Sequence, residues 1–345
     1  MRTHFTEVPM TNLLNSLCTP FRWQPRESAD RHDVRFADRV LCAHDHAPGD
    51  LVAVAILGVP QDLGVQRNGG RTGAAEAPRA IREHFARLTV SSGPNELPPE
   101  RMILDAGDIK CEGCSLEQIQ ERQFEVVSTL LSIAETVIVL GGGHDIAYPN
   151  GRALAARSES IGIVNVDAHL DVRPMIEHDG QHLSHSGSPF RQLLESADVG
   201  IPDGCFTEFG IQPFVAAAHH VRYVQDSGHH VMMLEDVRSA GIDTAFGHAL
   251  RSAAAAESIY CSFDLDAVAS AYAPGVSAPA TDGFTAENVI KMARLAAAHP
   301  SCRLLDIVEA NPRYDVDART MRLAAQMMAH AVLAKVGTTR EGDTG

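Results

Sequence analysis

From Leu51 onward the chain alternates short apolar runs with longer amphipathic ones. Strand-like runs rich in β-favouring residues occur at Leu51–Leu57, Met102–Asp105, Thr136–Leu140, Ile161–Val166, Cys205–Ile211, Val231–Leu234, Ile259–Phe263 and Arg303–Val308. Several are apolar almost throughout, as strands covered on both faces are. Between them, helical periodicity covers Ala74–Leu88, Leu116–Ala134, Pro213–Val221, Thr244–Ala256, Ala286–Ala298 and Val316–Ala334. This alternation predicts an α/β fold, a parallel sheet with helices on both sides. No linker, repeat or low-complexity tract follows residue 50, so residues 49–338 read as one catalytic domain. Residues 1–48, with Pro20, Pro25, Pro48 and many charges, read as an N-terminal extension packed on that domain or partly mobile. In sheets of this kind ligands bind outside the carboxyl ends of the strands.

Composition narrows the function. Hydrophobic residues make up 45% of the 345, enough for a large core, and the formal net charge is −15. Such a balance argues against nucleic acid and against an anionic membrane surface, both of which reward basic patches. No apolar stretch approaches the ~20 residues of a membrane span. Arg2, His4 and Glu7 interrupt any signal-peptide core at the N-terminus. Seven scattered cysteines suit a reducing cytoplasm, and Cys111-x-x-Cys114, without further ligands nearby in sequence, is weak evidence for zinc or redox chemistry.

The chemistry sits at three strand ends. Asn165-Val-Asp167-Ala-His169-Leu-Asp171 and Ser262-Phe-Asp264-Leu-Asp266 each space their polar groups two apart, which places them on one face of an extended chain. Four carboxylates and an imidazole cannot converge unless cations neutralise them. The third string, Gly141-Gly-Gly-His144-Asp145, matches no GxGxxG or GK[ST] phosphate loop. Its glycines instead let the backbone approach a crowded site and deliver His144. Oxygen ligands with a minority of imidazole suit manganese better than zinc, although nickel, cobalt or iron can occupy similar sites. Helix-capping aspartates or a structural calcium are the bland alternative for either string alone.

Together, GGGHD, NVDAHLDVRP and SFDLDAV with the downstream APGVSAP resemble the ureohydrolase family of arginases, agmatinases and formimidoylglutamases, over roughly residues 50–335. The resemblance implies a three-layer α/β/α sandwich around an eight-stranded, mainly parallel sheet. It also implies two manganese ions per subunit whose bridging hydroxide attacks a guanidine or amidine carbon. Carried onto this chain, His144 and Asp171 would bind one ion, His169 and Asp266 the other, and Asp167 and Asp264 would bridge. Glu309 matches the glutamate that pairs with the cationic head of the substrate, a role that suits parallel N–H donors. Family members often form trimers or hexamers, so a homo-oligomer is implied.

The finer resemblance is to the formimidoylglutamase branch, which hydrolyses N-formimino-L-glutamate to glutamate and formamide in histidine breakdown. It rests on Gly64–Glu76, Ser186-Gly-Ser-Pro-Phe190 and Ala271–Pro279. Chemistry points the same way. Arg173 lies two residues past Asp171, where arginases place an asparagine, and a guanidinium there favours an anionic substrate. Arg191, Arg67 and Arg71, with Asn68 in the same loop, are further candidates for substrate contacts. Ser186 stands where arginases and agmatinases carry a proton-shuttling histidine, and serine is no general acid near pH 7. The proton for the leaving amine then comes from the attacking water, from Asp145, or from His185 if the loop shifts by one residue.

Rival readings remain at this level. A related ureohydrolase would release urea from a guanidino acid, arginine or agmatine, and Arg173 counts against agmatine, which has no carboxylate. A dinuclear phosphoesterase and a non-catalytic metal-binding protein are the readings from other classes.

Overall fold

Residues 52–58, 161–166 and 258–264 are buried along their whole length, which requires layers on both faces of the strands they form. The computed structural model describes residues 10–24, 30, 32–45, 52–92, 95–98 and 101–337. Its main sheet has ten strands: β1 (Cys18–Thr19), β2 (Val40–Cys42), β3 (Val52–Gly58), β4 (Met102–Ile109), β5 (Ala134–Leu140), β6 (Ile161–Val166), β7 (Phe206–Ile211), β8 (His230–Met233), β9 (Ser258–Asp264) and β10 (Cys302–Val308). Their order is β1-β4-β3-β5-β10-β9-β6-β7-β8, with β2 also on β4.

The eight strands from β3 to β10 correspond one for one to the eight predicted runs, and all pair in parallel. The two additional strands come from the N-terminal segment: β1 is antiparallel to β4 and β2 parallel to it. Residues 18–19 and 40–42 therefore extend the sheet at its edge. The expected boundary at 48/49, the residues Arg2, His4, Glu7, Pro25, Pro48 and Leu51, and residue 338 lie outside the described residues.

Helices cover both faces. One layer holds α3 (Ala77–Phe85), α8 (Leu234–Ala240), α9 (Ile242–Ala253), α10 (Ala286–Ala298) and α11 (Arg319–Gly337). They contribute Ile81, Phe85, Val237, Phe246, Met292 and Met328 to one apolar core. The other layer holds α1 (Met10–Leu17), α4 (Leu116–Ile133), α5 (Ala147–Ala155), α6 (Pro189–Glu195) and α7 (Ala218–Asp226), which bury Leu14, Val127, Leu130, Leu154, Leu193 and Val224 in a second core. The short α2 (Leu63–Arg67) runs near the strand ends. The sandwich is three-layered, as expected. Capping boxes start α4 (Ser115 with Gln118) and α10 (Thr285 with Asn288), each cap contributing about 1 kcal/mol.

Three elements differ from expectation for local reasons. Strand β4 continues four residues past Asp105 because buried Arg82 pairs with Asp105 at 2.9 Å and Asp108 at 2.6 Å. The helix expected at Pro213 begins only at Ala218, since Phe214 takes a φ of +70°, which no right-handed helix accommodates. Helix α5 is not among the expected helices and carries Pro149 and Gly151. The proline sits in the first turn, where a missing N–H costs nothing, and a side chain at residue 151 would strike Leu193.

Candidate metal centre

The four central strands, β5, β10, β9 and β6, deliver the polar strings at their carboxyl ends, on either side of the point where the strand order reverses. After β5, Gly142 packs against residue 61 so closely that a Cβ would lie 1.6 Å from the Gln61 carbonyl. That approach turns the chain and presents His144 and Asp145, both fully buried.

All six expected ligands converge. His144 Nδ1 lies 3.0 Å from Asp171 Oδ2, 3.0 Å from Asp264 Oδ2 and 3.2 Å from Asp167 Oδ2. His169 Nδ1 lies 3.1 Å from Asp266 Oδ2 and 3.5 Å from Asp167 Oδ1. Two ligand groups result: His144, Asp167, Asp171 and Asp264, then Asp167, His169 and Asp266. Of the two carboxylates expected to bridge, Asp167 belongs to both groups, one oxygen turned to each. Asp264 belongs to the first only, its other oxygen accepting the Asp266 amide at 2.8 Å.

The electrostatics call for cations. Four aspartates outnumber two imidazoles even when both rings are protonated. Burial pulls the His144 imidazolium down, yet Asp167, Asp171 and Asp264 outweigh it and hold the ring well above its ordinary range. Asp266, mainly through burial, is pushed up to about 6. The buried Asp266 Oδ1 has no protein partner. Two divalent ions would satisfy this donor set, and its oxygen-rich composition with one imidazole per group suits manganese.

Glu309 stands beside the cluster. Its backbone has a φ of +60°, as Asp171 has +47°, conformations that a side-chain-bearing residue keeps only where its surroundings enforce them. Oε1 accepts the His144 amide at 2.9 Å, while the buried Oε2 has no partner. Burial first, then the nearby Asp266 and Asp171, push the carboxyl up to about 8. Asp145 Oδ2 accepts Gln61 Nε2 at 2.7 Å, its Oδ1 is unpartnered, and burial raises it to about 7. Gly64 leaves room for this carboxylate, since a Cβ there would lie 2.0 Å from Asp145 Oδ1.

The candidate substrate contacts divide. Arg173, Asn68 and Ser186 come together: Arg173 Nη1 donates to Asn68 Oδ1 at 3.2 Å, and Asn68 Nδ2 donates to Ser186 Oγ at 3.1 Å. The other three arginines have protein partners. Arg67 forks onto Glu117 and the Ser184 carbonyl. Arg71 donates to the Val276 and Ser277 carbonyls and lies over Tyr314. Arg191 pairs with Glu195 and stacks on Tyr223. His185 is occupied at both ring nitrogens, Nε2 donating to the Pro174 carbonyl at 3.0 Å and Nδ1 accepting the Gly187 amide at 3.1 Å. In this arrangement both ring nitrogens tie the 173–187 loop together. Cys111 and Cys114 join neither ligand group.

Sequence reasoning passed over Gln61, Ser262, Asp306, Asn165 and Glu208. Ser262 bonds His144 Nε2 at 2.9 Å, and Asn165 Nδ2 joins Asp167 to Glu208 at 3.3 and 2.8 Å. A signal was present, because Asn165 and Ser262 stand two residues before a ligand and share its face of the strand.

Comparison with known proteins agrees with this geometry. A formimidoylglutamase of Geobacillus kaustophilus is 36% identical over 298 residues, 81% of this chain and 84% of that one. A formimidoylglutamase of Ralstonia nicotianae is 35% identical over 329 residues, 91% of this chain and 95% of that one. The crystal structure of Trypanosoma cruzi formiminoglutamase with Mn2+ superposes with a TM-score of 0.77 at 37% identity, covering 83% of this chain and 94% of that chain. The model of the arginase family matches residues 52–334, and the chain belongs to that family.

Proposed function

We propose that the protein hydrolyses the C–N bond of N-formimino-L-glutamate, giving L-glutamate and formamide, at a dinuclear manganese site. The observation that carries this reading is the unpartnered, buried Glu309 Oε2 beside a six-ligand cluster, with Arg173, two residues past Asp171, bonded to Asn68. His144, Asp167, Asp171 and Asp264 would hold one ion, and His169, Asp167 and Asp266 the other. When bound, the pair supplies a water activated at neutral pH and Lewis-acid stabilisation of the charge that develops.

The chain's own residues do the rest. Glu309 Oε2 accepts N–H bonds from the formimino group and holds its carbon at the metal centre. Arg173 receives a substrate carboxylate, with Asn68 holding one arm of its fork. Asp145, adjacent to ligand His144 and with a buried, unpartnered Oδ1, would hold a proton during C–N cleavage. Ser186 fixes Asn68 and supplies no acid. Histidine breakdown in the cytoplasm fits seven cysteines that are all free, four of them buried. Among the described residues no helix is long and apolar enough to cross a membrane.

The test is an assay of manganese-loaded protein on N-formimino-L-glutamate, reading glutamate, formamide, ammonia and urea. Equimolar glutamate and formamide support the reading. Ammonia without formamide identifies a deiminase, and urea from a guanidino acid with no turnover of formiminoglutamate identifies a different ureohydrolase.

A further inference from the structure

Beneath His144 lies a chain of buried polar groups that the reaction does not touch. Ser262 Oγ donates to Asp306 Oδ1 at 2.6 Å. The other carboxylate oxygen, Oδ2, accepts Asn150 Nδ2 at 2.9 Å and the Tyr260 hydroxyl. Gln123 Nε2 in turn donates to Asn150 Oδ1 at 2.7 Å and to the Ile146 carbonyl at 2.9 Å. Every member is buried, from helix α4 through α5 to the adjacent strands β9 and β10.

The direction of the hydrogen bonds follows from what each group can do. A carboxylate only accepts, so the Ser262 hydroxyl hydrogen points to Asp306. Ser262 Oγ must then accept from His144, which places a proton on Nε2. In the neutral ring Nδ1 is left as a lone pair, the atom that faces Asp167, Asp171 and Asp264. His169 differs. Its Nδ1 faces Asp167 and Asp266 in the same way, but its side chain is 24% exposed, and among the described residues no buried carboxylate stands behind it through a hydroxyl.

We propose that Asp306, acting through Ser262, is a positioning residue for one metal ion only: it locks the tautomer and ring orientation in which His144 Nδ1 is a ligand. Such outer partners of a ligating histidine typically change metal affinity by about 10–100-fold when removed. Asn150 and Tyr260 occupy Oδ2 of Asp306, and its other oxygen, Oδ1, accepts from Ser262. An isolated buried carboxylate is strongly disfavoured. Three donors converge on this one, which is why β10 can carry it in the middle of an apolar strand. The inference rests on the dinuclear reading of the cluster.

The experiment compares full-length wild type, Ser262→Ala, Ser262→Thr and Asp306→Asn. Manganese affinity is measured by equilibrium dialysis, spin coupling by electron paramagnetic resonance, and unfolding on the metal-free proteins. The expected result is that Ser262→Ala weakens one of two ions about 10–100-fold and replaces the coupled signal by that of an isolated ion at limiting manganese. Its metal-free melting temperature falls somewhat, because the buried Asp306 loses one of its three donors, and Ser262→Thr, which restores a hydroxyl, recovers both that temperature and the coupled signal. Wild type that binds no manganese overturns the metal centre itself. Wild type with two ions and a Ser262→Ala variant with unchanged affinities overturns the relay alone. So does equal weakening of both ions. Asp306→Asn repeats the test from the other end of the chain of bonds, and the serine variants decide it where the asparagine variant does not fold.

Discussion

Arg173 and Asn68, 105 residues apart in sequence, meet through one hydrogen bond: Nη1 donates to Oδ1 at 3.2 Å. Because Asn68 is itself bonded to Ser186, one arm of the guanidinium is fixed and the Nε–Nη2 edge remains for a carboxylate. Arg173→Ala is expected to raise KM for formiminoglutamate about 10–100-fold with a smaller change in kcat, since a hydrogen bond to a charged group is worth about 1.5–3 kcal/mol. Arg173→Lys keeps the charge and loses the fork, so it recovers only part of the loss. Steady-state kinetics on the three proteins check this, and an unchanged KM in Arg173→Ala removes Arg173 from the substrate site.

Arg82 holds the sheet edge through a different logic. Its guanidinium and the Asp105 carboxylate are both buried; Nε and Nη2 donate to Asp105 and Nη1 to Asp108. Breaking a buried pair from one side typically costs about 3–5 kcal/mol, because a charge is left alone. Arg82→Met should therefore unfold at markedly lower urea than wild type. Burial already raises Asp105 above its ordinary value against the pull of Arg82. A carboxyl raised in the folded state binds its proton more tightly there, so its penalty grows as pH rises through that region. The gap between variant and wild type should narrow as pH falls from 7 to 5, and a gap that stays constant or widens contradicts this account.

These two arginines also show where the sequence was readable and where it was not. Most of the eight parallel strands were legible because a strand covered on both faces carries its signal in its own residues; β8, none of whose residues is buried, was legible only from its apolar run. The six residues of the two ligand groups were legible because each string holds its spacing within seven residues or fewer. The local pattern ends strand β4 at Asp105, because Asp105 and Asp108 are neutralised by a residue 23 and 26 positions upstream, which no local pattern reveals. Arg67 and Arg71 looked available for the same reason: Glu117 is 50 positions from the first, and the carbonyls of 276 and 277 about four times further from the second. Period-two spacing did contain Asn165 and Ser262, but their role depends on Glu208 and Asp306, on neighbouring strands.

His185 offers a test by pH. Burial lowers its pKa, and the Pro174 carbonyl, which favours the protonated ring, only partly opposes that. With the folded value below the unfolded one, near 6.5, the unfolded chain binds more protons between the two. Stability from the neutral ring is therefore fully present above about 6.5 and declines as pH falls toward the folded value. In His185→Asn this acid-side decline should be reduced while the alkaline side is little changed, as read by melting temperatures from pH 5 to 8. The pH profile of kcat should keep its wild-type shape, because the ring braces a loop and transfers no proton. Loss of one limb of that profile would make His185 the general acid instead.

Glu309→Gln separates substrate recognition from metal binding in one substitution. The amide oxygen can keep the acceptor role of Oε1 toward the His144 amide. The amide nitrogen then occupies the position of Oε2, the atom without a protein partner. Where the carboxylate would accept from the formimino nitrogens, the variant presents donors to donors. Two charge-assisted bonds of about 1.5–3 kcal/mol each are lost and replaced by repulsion, so kcat/KM should fall by at least roughly a hundredfold. Manganese content should stay at two per chain, because Glu309 belongs to neither ligand group. A variant that retains turnover while binding two ions would show that the amidine head is held elsewhere. A variant that loses an ion would show that Glu309 acts on the metals, through its bond to the His144 backbone, rather than on the substrate.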